Sequence, residues 1–357
     1  MKKQPAVLFS GYFGFDNAGD EAVLAAVIQK VRQTLPAAKL VVLSAQPEAT
    51  TAALQAYEVE AIDRKNPAAI KQALTEAALL VSGGGSLFQD ATSVRSVYYY
   101  ASILNMAHKA QVPVMVLAQG LGPLSSWLGR MLTKKAISKA ASISWRDEDS
   151  FILAKEIGLP AEKMYVTCDP VLLWQPTLSP NKKTVQKNIA KVVLAIRPWR
   201  DMSLLPWQET VQGLQQAGYE VELLPFHHQV DEAIAEELNQ RLEQPLPILS
   251  YQGPEGIYQQ IAGADFVVGM RLHALIMAAA AGTPAAAVSY DPKIDSFARQ
   301  AGIPLVGSWQ QFSAKDVVRA VQTGLQTKPN LQRELWQELW QRPLAEMKQL
   351  YQQGCEK

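Results

Sequence analysis

The chain has 357 residues, 48% of them hydrophobic and 19% charged, with a formal net charge of +1. That length and composition suit two well-packed domains and exclude a disordered chain. Near-neutrality offers no global field to nucleic acid or to an anionic membrane, so no nucleic-acid partner is expected and basic chemistry must be local.

The chain opens on a short apolar run, 6–9, too brief for the core of a signal peptide, and passes at once into a glycine-rich loop. No stretch approaches the roughly 18 consecutive apolar residues of a membrane span. Cys168 and Cys355 are the only cysteines and have neither metal-site spacing nor a disulfide framework around them. The expectation is a cytoplasmic enzyme without a metal.

From there one pattern recurs: a β-rich run, a glycine or acidic loop, an amphipathic helix. Strands are expected at 6–10, 40–44, 78–82, 114–118, 141–145 and 164–168, with helices such as 22–35 and 97–110 between them. Such alternation implies right-handed crossovers and a parallel sheet covered on both faces. Chemistry is then expected in the loops that follow the strands.

The loop at 11–21, Gly-Tyr-Phe-Gly-Phe-Asp-Asn-Ala-Gly-Asp-Glu, has neither dinucleotide spacing nor the Lys-Ser/Thr of a P-loop. Asp16, Asp20 and Glu21 at a helix start would repel an anion, so Asn17 and Asp20 suit the hydroxyls of a sugar acceptor. Asp20 reads equally well as a simple helix cap. The second loop, Gly83-Gly84-Gly85-Ser86, lets backbone amides approach a ligand closely, and Arg95 downstream is an anion clamp or an ordinary solvated residue. Gly120 belongs to a further glycine-rich loop. Arg146 follows the fifth strand with Asp147 beside it, as a clamp for carboxylate or phosphate or as half of a structural pair.

A break at 174–190, rich in Pro and polar residues, reads as a linker. The boundaries expected are a first Rossmann-like domain at 1–175, a linker at 176–190 and a second Rossmann-like domain at 191–330. A final helix, 331–357, is expected to pack back on the first domain. In the second domain strands are expected at 191–196, 219–225, 246–251, 265–269 and 285–289, with helices at 205–217, 232–242 and 272–281. The fold class is thus α/β, two parallel sheets facing across a cleft. Arg197-Pro-Trp199 follows the first of these strands. His227 and Asp231 follow the second, with His227 as a lesser candidate.

The strongest signal is Val268-Gly-Met-Arg-Leu-His-Ala, running into an alanine-rich helix. Arg271 and His273 at the start of so apolar a helix are costly to bury unless they face a ligand. Free amides and the dipole there favour an anion, with Arg271 adding a full charge. Tyr290 and Lys293 follow the next strand and are expected to line the same pocket.

Together these segments resemble the polysaccharide pyruvyl transferase family, over nearly the whole chain from the 11–21 loop to Tyr290-Asp-Pro-Lys293. The resemblance implies a glycosyltransferase-B-like fold and phosphoenolpyruvate as co-substrate, with no cofactor. It implies a lipid- or nucleotide-diphosphate-linked sugar as acceptor, and a product that serves a secondary cell-wall polymer anchoring surface-layer proteins. It marks Arg146, Arg271, Leu272 and His273 as donor-binding and catalytic positions. Asp16 departs from the family, where a glycine or other small residue is familiar. On this reading a pyruvate ketal forms and phosphate is released, with His273 moving the proton. Two rivals are a glycosyltransferase using a nucleotide-sugar donor and a non-catalytic glycan- or phosphate-sensing module. A peripheral contact with the inner face of the cytoplasmic membrane stays open, and for Trp336 and Trp340 of the last helix packing is favoured over lipid contact.

Overall fold

The computed structural model describes residues 5–91, 93–176, 189–327 and 332–356, so most of the expected linker, 177–188, lies outside the described residues. The chain divides into two compact units. The first comprises Met1–Phe15, Val23–Trp174 and Arg333–Lys357, the second Asp16–Ala22 and Gln175–Gln332.

In the first unit the strands are β1 (Ala6–Ser10), β2 (Lys39–Ser44), β3 (Val59–Asp63), β4 (Ala77–Gly83), β5 (Val114–Gln119), β6 (Ser142–Trp145) and β7 (Met164–Val166). The helices between them are α1 (Ala18–Thr34), α2 (Pro47–Ala53), α3 (Pro67–Glu76), α4 (Val94–Lys109), α5 (Trp127–Ile137) and α6 (Glu148–Glu156). The sheet order is β3-β2-β1-β4-β5-β6-β7, parallel throughout. Strands such as β2 (KLVVLS) and β5 (VMVLAQ) are near-continuous apolar runs because helices cover both faces. The order reverses direction at β1/β4, and crevices at such switch points take ligands at the carboxyl ends of the strands. β3 was not legible as a strand: it lies at the sheet edge, and its VEAID sequence carries exposed and half-buried positions.

The second unit has strands β8 (Lys191–Ala195), β9 (Glu220–Leu223), β10 (Phe266–Gly269), β11 (Ala285–Ser289), β12 (Leu305–Ser308) and β13 (Gln311–Phe312). Its helices are α7 (Leu205–Gln216), α8 (Val230–Asn239), α9 (Gly253–Gly263), α10 (Leu272–Ala281), α11 (Pro292–Ala301) and α12 (Ala314–Gly324). The order is β13-β12-β11-β10-β8-β9, parallel except for the antiparallel β12/β13 pair at one edge. Here the switch point lies between β8 and β10. The strand expected at 246–251 does not form; it is reduced to a bridge between Leu223 and Ile248. Pro245 and Pro247 bring no amide donors, so a ladder cannot extend along it.

The last helix, α13 (Arg333–Cys355), belongs to the first unit. Trp336 and Trp340 are buried in it, at 3% and 1% exposure, so neither is a lipid-facing residue. The Trp340 indole donates to Cys168 O at 3.1 Å, Thr167 Oγ1 donates to Leu339 O at 2.8 Å, and Tyr165 donates to Glu346 at 2.9 Å. Among the described residues no helix is long and apolar enough to cross a membrane. Because the Trp340 ring both fills the core and satisfies a buried carbonyl, Trp340→Ala is expected to cost about 3–5 kcal/mol of unfolding free energy in urea titration. A cost under about 1 kcal/mol would show that α13 merely rests on the unit.

Candidate functional site

In the second unit, four adjacent strands, β9, β8, β10 and β11, deliver their following residues to one sheet edge. After β10 the chain turns at Met270 and Arg271 into α10, whose N-cap is Arg271 and which no side chain caps. Arg271 is 9% exposed, and Asp231, whose carboxylate meets its guanidinium, is 1% exposed. Arg271 Nε donates to Asp231 Oδ2 at 2.8 Å and Nη2 donates to Oδ1. Asp231 also accepts the amides of Phe226 at 3.0 Å and His227 at 3.1 Å. This corrects the expectation drawn from burial. The buried Arg271 charge is met by a carboxylate of the same unit, through a bidentate pair, and does not require a ligand.

Arg197, two residues beyond β8 at the switch point, is a half-buried cation held by aromatic side chains. Its Nη1 donates to Tyr290 OH at 2.6 Å, and its guanidinium lies 4.4 Å from the Tyr290 ring centre and 4.9 Å from that of Trp199. It makes no ion pair among the described residues. Burial, and then the neighbouring Arg271 charge, lower its pKa from the usual arginine value, while Tyr290 and, less strongly, the Asp231 carboxylate oppose that shift. Lys293 completes the group, 3.5 Å from Asp291 and 5.6 Å from the Tyr290 ring centre. Arg197 stood in the sequence beside Trp199, but a cation after a strand carries no signal of whether a carboxylate awaits it.

His273 is half-buried in the first turn of α10, one residue after the buried Leu272. The backbone of Gly19 leaves no room beside its ring: a Cβ there would fall 2.3 Å from His273 Nδ1. Gly19 belongs to the short segment Asp16–Ala22, which is bound into this unit by Ala18 N donating to Phe226 O at 2.8 Å and His228 N to Asp16 O at 3.1 Å. Asn17 caps α1 by accepting from Gly19 N at 3.2 Å, and its amide donates to Asp20 at 2.7 Å. Asp20 is therefore a first-turn residue of α1, not its cap. Asp16 adopts φ 53°, a left-handed conformation that glycine takes freely and Asp better than most residues. Burial, then the Glu21 and Asp16 carboxylates, push the Tyr251 phenol well above its ordinary pKa, which places an acidic, aromatic rim here. His227 Nδ1 is 2.9 Å from His228 O, and its backbone bridges to Asn17.

The first unit gathers a different cluster. Gly84 and Gly85 adopt φ 86° and 70°, so the chain can turn sharply after Gly83. Gly120 N donates to Gly85 O at 3.0 Å, which sets Gly120 beside Ser86. Arg146 is 6% exposed and reaches Ser86 Oγ at 3.2 Å, Asp147 at 3.4 Å and Asp169 at 3.4 Å. Those carboxylates also cap α6 and the turn at Pro170–Leu173. Arg146 is thus surrounded by two negative charges, the arrangement of a structural network. A Cβ on Gly120 would lie 2.8 Å from Arg146 Nη2, so the guanidinium needs glycine there. Arg95 stands exposed on the first turn of α4, with no side-chain hydrogen bond or ion pair among the described residues. Sequence reasoning missed Arg64, buried at 8% under the 11–15 loop and 4.3 Å from the Tyr99 ring centre. It follows the edge strand that was itself not legible.

A family model described as polysaccharide pyruvyl transferase matches residues 17–292. The amylovoran biosynthesis protein AmsJ of Erwinia amylovora is 22% identical over 230 residues, 56% of this chain and 54% of that protein. The match therefore spans about half the length of that relative. Among solved structures, the chain is similar to Anabaena HepE in complex with UDP-glucose, with 15% identity, a TM-score of 0.62 and 99% of each chain covered. It is also similar to the UDP-GlcNAc 2-epimerase of Neisseria meningitidis bound to UDP-GlcNAc, with 14% identity, a TM-score of 0.65 and coverage of 96% of this chain and 100% of that one. At such identities the likeness is one of fold, and the fold is glycosyltransferase-B-like.

Asp231→Asn should cost about 3–5 kcal/mol in urea unfolding, because it strands a buried guanidinium, and the double variant Asp231→Asn/Arg271→Met should recover most of that loss. A single-variant cost below about 1 kcal/mol would mean that the pair is not the anchor of this edge.

Proposed function

The chain belongs to the polysaccharide pyruvyl transferase family, and from that premise we propose that it moves the pyruvyl group of phosphoenolpyruvate onto two hydroxyls of a cell-surface polysaccharide precursor. The observation that carries this reading is the β8/β10 switch point of the second unit. There Arg197 supplies a cation with no ion pair among the described residues, beside an uncapped helix start and a half-buried imidazole. Phosphoenolpyruvate bears a phosphate and a carboxylate. Arg197 takes one, and the amides opening α10 take the other, with Lys293 alongside. Arg271 stays on Asp231 and acts by fixing the entry to α10, so its part is positioning.

His273 protonates the methylene carbon of the donor, leaving an oxocarbenium-like centre at the neighbouring carbon. An acceptor hydroxyl adds to that carbon and returns its proton to His273. The bond to the bridging phosphate oxygen then breaks, and a second hydroxyl adds in its place, its proton leaving with inorganic phosphate. The product is the cyclic ketal. The Asp16–Glu21 segment and Tyr251, with carboxylates and an aromatic face, suit the acceptor sugar. In the first unit Arg146 holds the 83–86 loop and Gly120 in register. Nothing in this scheme requires a metal or a cofactor.

The test is to incubate the protein with phosphoenolpyruvate and a diphosphate-linked sugar, following phosphate and acceptor mass together. Equal release of phosphate and formation of pyruvylated acceptor is expected. Nucleotide release from a UDP-sugar, without phosphate from phosphoenolpyruvate, would replace this reading with glycosyl transfer. His273→Ala should lower kcat by roughly 10²–10⁴-fold with donor binding retained. Gly19→Ala should lower kcat in the same direction, since its methyl displaces the ring.

A further inference from the structure

The first unit carries a surface feature that the transfer chemistry does not use. Among the described residues Trp127 is the most exposed large hydrophobic side chain, at 76%, and Leu128 at 44% and Met131 at 39% flank it on α5. Tyr98, at 67%, stands out from α4, the helix against which α5 packs. At 100° per residue, Trp127, Leu128 and Met131 lie on one outward face of α5, while Gly129, Thr133, Ala136 and Ile137 are turned inward and buried. Large apolar side chains grouped on an outward face mark an interaction site.

The charge along this stretch of sequence is equally one-sided. Residues 91–145 contain Arg95, Lys109, Arg130, Lys134, Lys135 and Lys139, all exposed, and not one Asp or Glu, in a chain whose net charge is only +1. The carboxylate at the start of α5, Asp90, is partly exposed and is engaged by the amides and hydroxyls of Ser125 and Ser126, at 2.5–2.9 Å. These bonds fix where α5 begins. Both loops involved leave the carboxyl ends of β4 and β5, so Trp127 stands at the functional edge of this sheet.

We propose that the outward face of α5 docks the enzyme on an anionic lipid surface. Trp127, Leu128 and Met131 enter the interfacial layer and the surrounding lysines and arginines meet the headgroups. Amphipathic helices bind bilayers by this combination of apolar area and basic charge, and Trp is suited to the interfacial zone. Charge complementarity selects this occupant: a second copy of the chain would set one basic face against another. The inference is independent of which group the enzyme transfers.

Co-sedimentation of the full chain with phosphatidylcholine vesicles, with and without phosphatidylglycerol, tests it. Binding to the anionic vesicles alone is expected, weakening as salt rises. Trp127→Ser/Met131→Ser should weaken that binding at least tenfold, and Lys135→Glu/Lys139→Glu should weaken it too. These exposed substitutions should leave the circular dichroism spectrum, thermal unfolding and turnover of a water-soluble acceptor unchanged. No sedimentation with anionic vesicles, equal binding to neutral ones, or undiminished binding of the Trp127→Ser/Met131→Ser variant would overturn it. So would lipid-free dimerisation abolished by the same variant. None of these results bears on phosphate release from phosphoenolpyruvate.

Discussion

Burying an arginine at the start of an apolar helix is expensive unless a carboxylate goes with it, and the second unit is arranged around that constraint. Asp231 meets Arg271 with both oxygens and at the same time gathers the amides of Phe226 and His227, so the loop after β9 is tied to the loop after β10. That junction sets the direction in which α10 leaves the sheet, and with it where His273 stands. Because Phe226 and His228 also pair with Ala18 and Asp16, the short Asp16–Ala22 segment is placed against the imidazole by the same anchor. One ion pair thus positions three loops.

The division of labour among the arginines follows from their partners. Arg271 and Arg146 are each matched by carboxylates and hold backbone in place. Arg197 rests on the rings of Trp199 and Tyr290 and donates to the Tyr290 hydroxyl, contacts that shield it without neutralising it. Aromatic faces can tolerate a guanidinium while leaving its charge available, and this is the condition an anionic substrate needs. Its position beyond β8, at the switch point of the sheet, follows from strand order alone.

The fold was largely legible because buried parallel strands write themselves as apolar runs; β1, β11 and α10 have the bounds that the pattern implies. The exceptions have two causes. β3, β12 and β13 lie at or near a sheet edge, where most positions are half-buried or exposed and the apolar signal fades, and the 246–251 run has the composition of a strand but Pro247 within it and Pro245 just before it bring no amide donors. The candidate site was legible as a set of loops, since the glycines at 83–85 and the Arg-Leu-His at 271–273 stand at strand ends. Pairing was not legible. Nothing in the spacing of Asp231 and Arg271, forty positions apart, shows that they meet. For that reason burial suggested a ligand for Arg271 where the fold supplies a carboxylate, and Arg197 was passed over.

Calorimetric titration of phosphoenolpyruvate into the protein and its Arg197→Met variant addresses the central claim most directly, because it isolates donor binding from every later step. The account predicts saturable binding to the wild type, weakened at least tenfold by Arg197→Met and unaltered by Arg95→Met. Equal affinity in the wild type and the Arg197→Met variant would contradict it, and would return the donor to the carboxylate-matched arginines.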